Sequence, residues 1–145
     1  MIIRKIRESD RADWVRMRDA LWPGSVSDHE TETHVYFGRR DAPPVLVAEH
    51  DGRLVGFLEL GYRVYAPGCT SSPVPFIEGW YVEPALQGQS VGRMLVEAAE
   101  ASARADGYAE IASDVLIDNA GSIAAHSALG YEEVERLVCF RKSLK

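Results

Sequence analysis

The most constraining feature of this 145-residue sequence is an apolar segment that runs through a loop of small residues into a long helix. The segment PFIEGWYV, residues 75–82, is almost continuously apolar, which is typical of a buried strand. Residues 84–92 contain proline, glycine and serine, and the stretch VGRMLVEAAEASARA after them has an apolar face and stops near Gly107. A strand that meets a helix N-terminus in this way leaves backbone N–H groups free, and the helix dipole adds about half a positive charge there. The arrangement is compatible with an anion-binding loop.

The loop does not match the two best-known phosphate motifs. No Gly-Lys-Ser/Thr follows it, so it is not a Walker loop. Three strand-like segments precede PFIEGWYV, which argues against a Rossmann fingerprint. Glycine at a helix start also serves ordinary turns, and that alternative stays open on these residues alone.

The rest of the chain predicts an α/β layered arrangement in one domain, residues 1–145. Asp51-Gly52 is a hairpin signal, Ser27–Glu30 matches a capping box, and Gly79 inside its strand suggests a bulge or a close backbone approach. Ser9 and Asp10 are candidate caps for the first helix. The expected elements are strand 2–6, helices 10–21 and 27–37, strands 45–49, 53–62 and 75–82, helix 91–105, strand 108–113, helix 117–129 and a final strand or strand pair in 131–142.

Net charge, cysteine content and hydropathy limit the kinds of ligand and partner that this chain can bind. The formal net charge of −6 argues against nucleic acid and suits a cationic ligand, although it also simply keeps a protein in solution. Cys69 and Cys139 form no CxxC pair, and His29, His34 and His50 have no metal spacing, so we expect free thiols and no metal. No signal-peptide pattern and no apolar run near the length of a membrane span is present, which predicts a cytoplasmic protein with no membrane partner.

Two motifs together resemble the GNAT N-acetyltransferase superfamily. Gln87-x-x-Ser90-x-Gly92 resembles its acetyl-CoA pyrophosphate loop, with Ser90 where glycine is usual, which we expect to allow φ near helical values. Residues 119–131, from Asn119 to Tyr131, resemble its second cofactor segment. The resemblance implies acetyl-CoA as cosubstrate and a GNAT fold with a mixed, mostly antiparallel central sheet, flanking helices and splayed middle strands. The cofactor-binding residues that it implies are Trp80, Tyr81, Val82, Gln87, Gly88, Gln89, Ser90, Val91, Gly92, Arg93, Asn119, Ser122 and His126.

Shorter strings narrow the resemblance further. Residues 21–24, 68–74, 76–79, 112–114 and 128–133 are similar to the aminoglycoside 6′-N-acetyltransferases. The resemblance implies transfer of an acetyl group to the 6′-amino group of aminoglycoside antibiotics, and hence antibiotic resistance. The alternatives are a GNAT enzyme for another amine, such as a polyamine, an amino acid or a protein N-terminus, and a CoA-binding sensor without transfer chemistry.

The acceptor, a cationic small-molecule amine, calls for carboxylates. In the GNAT fold Glu78 and Asp114 would face one cleft from two splayed strands, while an ion-paired Glu78 and a turn-capping Asp114 are the structural alternatives. Trp22 is either a wall of the sugar site or a core residue, and Tyr65 is either an acceptor contact or an exposed loop residue.

A direct transfer in a ternary complex fits these residues. Asp114 or Glu78 accepts the amine proton, and backbone N–H groups near Val82 polarise the thioester. His126 stands where the superfamily often has a tyrosine, and either donates a proton to the thiolate or only packs. Similar enzymes often pair a C-terminal strand across a dimer, so residues 135–141 predict a homodimer.

Overall fold

The centre of the molecule is one five-stranded sheet in the order β1-β2-β3-β4-β5. The computed structural model describes residues 1–145. The strands are β1 (Ile2–Lys5), β2 (Val45–His50), β3 (Arg53–Arg63), β4 (Val74–Val82) and β5 (Ala112–Ser113). Neighbours from β1 to β4 are antiparallel, and β4 and β5 are parallel. This confirms the mixed, mostly antiparallel sheet.

Four helices cover both faces of the sheet. They are α1 (Arg11–Leu21), α2 (Val26–Gly38), α3 (Val91–Ala105) and α4 (Ala120–Ala128). Successive residues of β3 point to opposite faces. Phe57 packs in a cluster with Trp14 and Met17 of α1, and Leu58 packs in another with Leu95 of α3. The sheet is therefore buried on both sides, which explains its nearly continuous apolar runs.

The β2–β3 hairpin turns where the sequence predicts. Asp51 has φ 51° and Gly52 has φ 74°, and a two-residue turn with both central residues in the left-handed region matches the right-handed twist of the strands.

Strands β4 and β5 pair over a very short length and then separate. The only registered pairs are Phe76 with Ala112 and Ile77 with Ser113. Residues 78–82 of β4 therefore have no strand partner on the β5 side, which leaves a wedge-shaped opening. This is the splay of middle strands that the resemblance implied.

The two predicted helix caps near the N-terminus were wrong. Ser25, not Ser27, precedes α2, has an extended backbone (φ −113°, ψ 96°) and accepts a hydrogen bond from the Asp28 N–H at 3.3 Å. Ser27 lies inside the helix because α2 already begins at Val26, soon after Pro23-Gly24 and earlier than the capping-box pattern suggests. Asp10 precedes α1 without capping it, since its carboxylate accepts from Arg4 and from the Arg7 N–H.

The last third of the chain is less regular than predicted. Of residues 108–113 only 112 and 113 form a strand, and α4 begins at Ala120 rather than 117. The final strand was wrong, because residues 130–145 have no helix or strand. A strand needs a hydrogen-bonding neighbour. No backbone hydrogen bond joins residues 132–145 to a strand of this chain. None of the helices combines the length and apolarity needed to cross a bilayer.

Candidate active site

A cleft of about 670 Å³ lies between the loop after β4 and helix α4. The cleft lies beside the wedge between β4 and β5, with the start of α3 on one side and the start of α4 on the other. The side chains and backbone that line it belong to Trp80, Val82, Gln87, Gly88, Ser90, Gly92, Arg93, Asn119, Gly121, Ser122, Ala125, Ala128 and Leu129.

The loop between β4 and α3 contains a row of backbone N–H groups without hydrogen-bond partners. The N–H groups of Gly88 and of residues 90–93 have no acceptor in the protein, whereas those of Gln87, Gln89 and Met94 are bonded to backbone carbonyls. The first N–H groups of any helix lack an intrahelical partner, and their dipole favours a negative charge. A pyrophosphate fits this donor set, because it supplies several oxygen acceptors to consecutive amides.

Ser90 gives the loop its shape. Its backbone is left-handed, with φ 66° and ψ 8°, so the expectation of helical values was wrong. Gly88 is also left-handed, with φ 81°. These two residues turn the chain sharply enough for the next amides to point outward from the start of α3.

Trp80 and Gly92 form the floor of the cleft. A Cβ atom at position 92 would lie 3.1 Å from Trp80 Cζ2, so the indole leaves room only for glycine in its present place. The Trp80 Nε1–H is buried and has no hydrogen-bond partner. The Gln87 side chain donates to the Val82 carbonyl at 3.1 Å and ties the loop to the end of β4.

Helix α4 forms the opposite wall. Asn119 caps it by accepting from the Ser122 N–H at 3.1 Å. Gly121, Ala125 and Ala128 line the cleft and were missed by the sequence reasoning. Small residues at helical spacing are the signal that could have found them, because they let a ligand approach the helix closely.

Four predicted cofactor contacts are not among the residues that line the cleft. Tyr81 packs on Phe57 at 6.0 Å between ring centroids, on the face that α1 covers. The Val91 side chain is buried in the core, so only its backbone is available, and the Gln89 amide donates to the Ala85 carbonyl. Alternating side-chain direction along β4 explains why Trp80 and Val82 reach the cleft and Tyr81 does not.

His126 is the fourth of these residues, and it lies in the wedge between the splayed strands. Its ring meets Trp80 edge-on at 5.2 Å between centroids. Nδ1 donates to the Ser122 carbonyl at 2.7 Å, which leaves Nε2 of a neutral imidazole to accept from the Ser113 hydroxyl at 2.8 Å. Both ring nitrogens are therefore occupied, which favours the packing alternative over a free proton donor.

A bulge in β4 directs Glu78 toward the face that α1 and α2 cover. Glu59 pairs with Gly79 and Leu60 pairs with Ile77, so Glu78 is the extra residue without a partner on β3. Its side chain lies over Gly61, where a Cβ atom would be 2.9 Å from the carboxylate. The prediction of a bulge at this point of the strand is confirmed.

Arg63 joins the two carboxylates that the sequence singled out. Its Nε and Nη2 donate to Glu78 at 2.9 and 2.8 Å, and its Nη1 lies 3.9 Å from Asp114. Hydrogen bonding to Glu78 raises the pKa of Arg63. Glu78 and Asp114 thus lie on one side of the molecule, within reach of one guanidinium. The sequence reasoning weighed an ion pair for Glu78 but did not find Arg63.

Trp22 packs against Gly79, next to Glu78, on the face of the sheet that α1 and α2 cover. A Cβ atom at Gly79 would lie 2.5 Å from Trp22 Cη2, and the indole is 36% exposed. Arg18 lies under the ring at 5.2 Å, and His29 donates to the Trp22 carbonyl at 2.9 Å. Tyr65, on the loop after β3, is 70% exposed. We call the surface formed by Trp22, Glu78, Asp114 and Arg63 the acceptor face, after the cationic acceptor that the sequence predicts.

A second, polar cavity of about 240 Å³ lies between α1, α2 and the middle of the sheet. Arg18 and Trp14 both donate to Glu59 there, at 2.8 and 2.9 Å, and burial raises the pKa of Glu59. This cluster supports Trp22 from below through Arg18. No group of three or more His, Cys, Asp or Glu side chains converges in the geometry of a metal site.

Comparison with known proteins agrees with this geometry. The model of the acetyltransferase (GNAT) family matches residues 13–131, and the chain belongs to this family. The aminoglycoside N(6′)-acetyltransferase type 1 of Klebsiella aerogenes is 44% identical over 147 residues, covering 99% of this chain and 97% of that protein.

Two solved structures are similar over nearly the whole chain. The apo structure of the aminoglycoside antibiotic 6′-N-acetyltransferase AAC(6′)-IG from Acinetobacter haemolyticus superimposes with a TM-score of 0.91 at 36% identity, covering 100% of both chains. AAC(6′)-Iy in complex with the bisubstrate analogue CoA-S-monomethyl-acetylneamine has a TM-score of 0.91 at 34% identity, covering 98% of this chain and 97% of that one.

Proposed function

We propose that this protein transfers the acetyl group of acetyl-CoA to the 6′-amino group of aminoglycoside antibiotics and thereby confers resistance to them. The observation that carries the proposal is the row of free amides at Gly88 and residues 90–93, together with a face that bears two carboxylates. Relatives with this activity match the chain from end to end at up to 44% identity. The substrate and cosubstrate follow from these two facts together.

The cofactor cleft binds the cosubstrate through its main chain. The free amides and Arg93 hold the pyrophosphate, while Trp80, Val82, Asn119 and Ser122 line the path from the loop into the wedge. The pantetheine arm fits the side of β4 that β5 leaves unpaired, because extended chains add to open strand edges. The cosubstrate supplies an activated acetyl group as a thioester.

The acceptor face binds a polycation and frees one amine. An ammonium group cannot attack a thioester, so a base has to remove its proton first. Asp114 is 73% exposed, which leaves its carboxylate free to accept that proton, directly or through water. Glu78 binds an ammonium group through a charge-assisted hydrogen bond, and Trp22 and Tyr65 flank the sugar rings.

The transfer itself needs no acyl-enzyme. The nitrogen–carbonyl bond forms as the carbon–sulfur bond breaks, and the proton that the nitrogen then loses passes, directly or through water, to the departing sulfur. Backbone N–H groups near Val82 polarise the carbonyl. Burial raises the pKa of Cys69, which keeps it in the thiol form, and Cys139 lies in the irregular C-terminal segment, so neither cysteine is placed as a nucleophile. His126 packs Trp80 against α4 and holds the wedge open.

An acceptor panel tests the proposal. Purified protein is given acetyl-CoA and either a kanamycin-type aminoglycoside, the same drug without its 6′-amino group, or a polyamine, and released thiol is measured. We expect turnover on the first acceptor only, with the acetyl group on the 6′-nitrogen by mass spectrometry and NMR. Turnover on the polyamine alone contradicts the aminoglycoside assignment. Tight acetyl-CoA binding with no turnover on any amine indicates a sensor.

We further propose a homodimer formed by the C-terminal segment. Residues 132–145 have no strand partner, and their apolar side chains are exposed, with Phe140 at 93%. A second copy would supply both the hydrogen-bonding neighbour and the apolar cover. Light scattering after gel filtration should give twice the monomer mass for the wild type, and the monomer mass for Phe140→Asp. A monomeric wild type contradicts the dimer.

The proposal also treats residues 1–145 as one catalytic domain acting in the cytoplasm. Together, the acceptor face and the cofactor cleft use residues from Trp22 to Leu129. The cytoplasm supplies acetyl-CoA and keeps the two free cysteines reduced. Fractionation of expressing cells, with the activity followed in each fraction, tests the location.

A further inference from the structure

Arg63 places a positive charge where the acceptor's own positive charge has to bind. Its guanidinium makes two hydrogen bonds to Glu78, at 2.9 and 2.8 Å, and lies 3.9 Å from Asp114. A guanidinium and an alkylammonium are the same kind of partner for a carboxylate, because both donate charged N–H groups. The free protein therefore holds an internal cation at the group that we assign to an ammonium of the acceptor.

The surroundings hold Arg63 in place without locking it. The guanidinium carbon lies 3.5 Å from the centroid of the Phe76 ring, and its side chain is 41% exposed. Exposed ion pairs contribute only up to about 1 kcal/mol, so an incoming cation can compete for Glu78. At this exposure the displaced guanidinium can turn toward solvent at the edge of the site, which leaves Asp114 free to act as the base.

We propose that Arg63 is a specificity-determining residue, an internal cation that the acceptor displaces from Glu78. An acceptor with several ammonium groups on a rigid frame offsets the lost ion pair through its other contacts, whereas a small diamine has only one further charge to offer. The site thus selects polycationic amino sugars over simple amines. The inference rests on the proposed function and adds the reason for its selectivity.

A second consequence concerns the amine proton. Arg63 stays within a few ångströms of the bound acceptor, and a like charge beside an ammonium group favours loss of its proton. Removing Arg63 should therefore tighten binding of the protonated amine and shift the acid limb of the kcat profile to higher pH. A purely structural role for Arg63 would not produce this pair of effects.

The test compares variants at the two ends of one strand. Arg63→Gln and Arg63→Met both remove the charge, and the methionine variant retains an apolar side chain against Phe76. Arg63→Lys keeps the charge. Arg53 is the matched control, since it starts β3 as Arg63 ends it and makes a similar two-bond pair, with Glu83 at 3.0 and 2.8 Å. Arg53→Gln causes the same change in net charge away from the acceptor face.

We expect the KM for a kanamycin-type aminoglycoside to fall about three- to fivefold in Arg63→Gln and Arg63→Met, the range that an exposed ion pair allows. Both variants should also release thiol with 1,5-diaminopentane, an acceptor on which we expect no turnover by the wild type. Arg63→Lys keeps the charge but loses the two-bond geometry, so the aminoglycoside KM should fall less than in Arg63→Gln. Arg53→Gln should stay within about twofold of the wild type, as surface changes do, and the KM for acetyl-CoA should not change in any variant.

An aminoglycoside KM that is unchanged or raised in both Arg63→Gln and Arg63→Met overturns the inference. If the wild type still acetylates the aminoglycoside, the proposed function stands in that case. A wild type that acetylates no aminoglycoside overturns the proposed function, and the inference with it. Thermal unfolding of each variant establishes that the compared proteins are folded.

Discussion

The two sides of the wedge between β4 and β5 present different chemical groups, main-chain amides on one side and charged and aromatic side chains on the other. The cofactor cleft consists largely of backbone amides and small side chains, and Gly88, Gly92 and Gly121 are among the residues that line it. The acceptor face consists of charged and aromatic side chains, held by Arg63, Phe76 and the Arg18–Glu59 pair.

The difference teaches what each side recognises. A pyrophosphate is always the same anion, so main-chain donors can bind it with little help from side chains. An acceptor is distinguished by the number and position of its charges, which only side chains can match. The cofactor cleft should therefore be sensitive to added bulk, and the acceptor face to altered charge.

The largest expected effect is on the acceptor side. Asp114→Ala should lower kcat/KM for an aminoglycoside about 100-fold or more, since general base catalysis contributes a factor of this size. Initial rates of thiol release measure it. The exposed Asp118, four residues further on, supplies the matched control Asp118→Ala. Activity close to that of the control would remove Asp114 from the mechanism and leave Glu78 as the base.

Bulk on the cofactor side should have the next largest effect. Gly92→Val puts atoms against Trp80, where even a Cβ would lie at 3.1 Å, and should raise the KM for acetyl-CoA about tenfold, in keeping with the usual cost of overpacking. Gly38→Val is the control, because nothing lies within 4 Å of a Cβ at that position. If both variants bind acetyl-CoA like the wild type, the cleft is not sensitive to bulk.

A smaller, pH-dependent effect should appear in the loop that follows Tyr65. Glu110 accepts from the Ser71 hydroxyl and from the N–H groups of Thr70 and Ser71, and these bonds lower the pKa of its carboxyl group. A lowered pKa stabilises the fold above the ordinary pKa of 4.5, and the contribution is lost as the pH falls through the lowered value.

Thermal unfolding between pH 3 and pH 7 tests the role of Glu110. Glu110→Gln should have a lower Tm than the wild type near neutral pH, by about 2–4 °C as for a modest loss of stability in a domain of this size. The gap should narrow toward pH 3. A gap that stays constant with pH would show that the charge of Glu110 does not anchor the loop.

The smallest effect should come from Ser90→Gly. A non-glycine residue in the left-handed region costs about 1–2 kcal/mol, and the greater freedom of glycine in the unfolded chain offsets part of that gain. We expect stability to rise by about 0.5–1 kcal/mol in denaturant unfolding, with the KM for acetyl-CoA unchanged. A loss of stability would mean that the Ser90 side chain stabilises the loop.

The local elements were largely predictable because they depend on neighbours in the sequence. The Asp51-Gly52 turn, the long helix α3 and the bulge near Gly79 follow from turn chemistry and periodicity, and the structure contains all three. The final strand failed for the opposite reason. Its apolar residues are compatible with a strand, but a strand forms only where it is hydrogen-bonded to a neighbour, and no backbone hydrogen bond joins this segment to the sheet.

The sequence by itself predicted the overall fold, a candidate anion loop and Glu78 and Asp114 as candidate carboxylates, because strand, turn and helix patterns and a family motif are all contained in consecutive residues. Only the tertiary structure decided that Arg63 reaches both carboxylates and that Tyr81 turns away from the cleft. The physical reason is that these contacts join residues far apart in the chain, or depend on the face of the sheet to which a bulged strand points, and neither is specified by local preference.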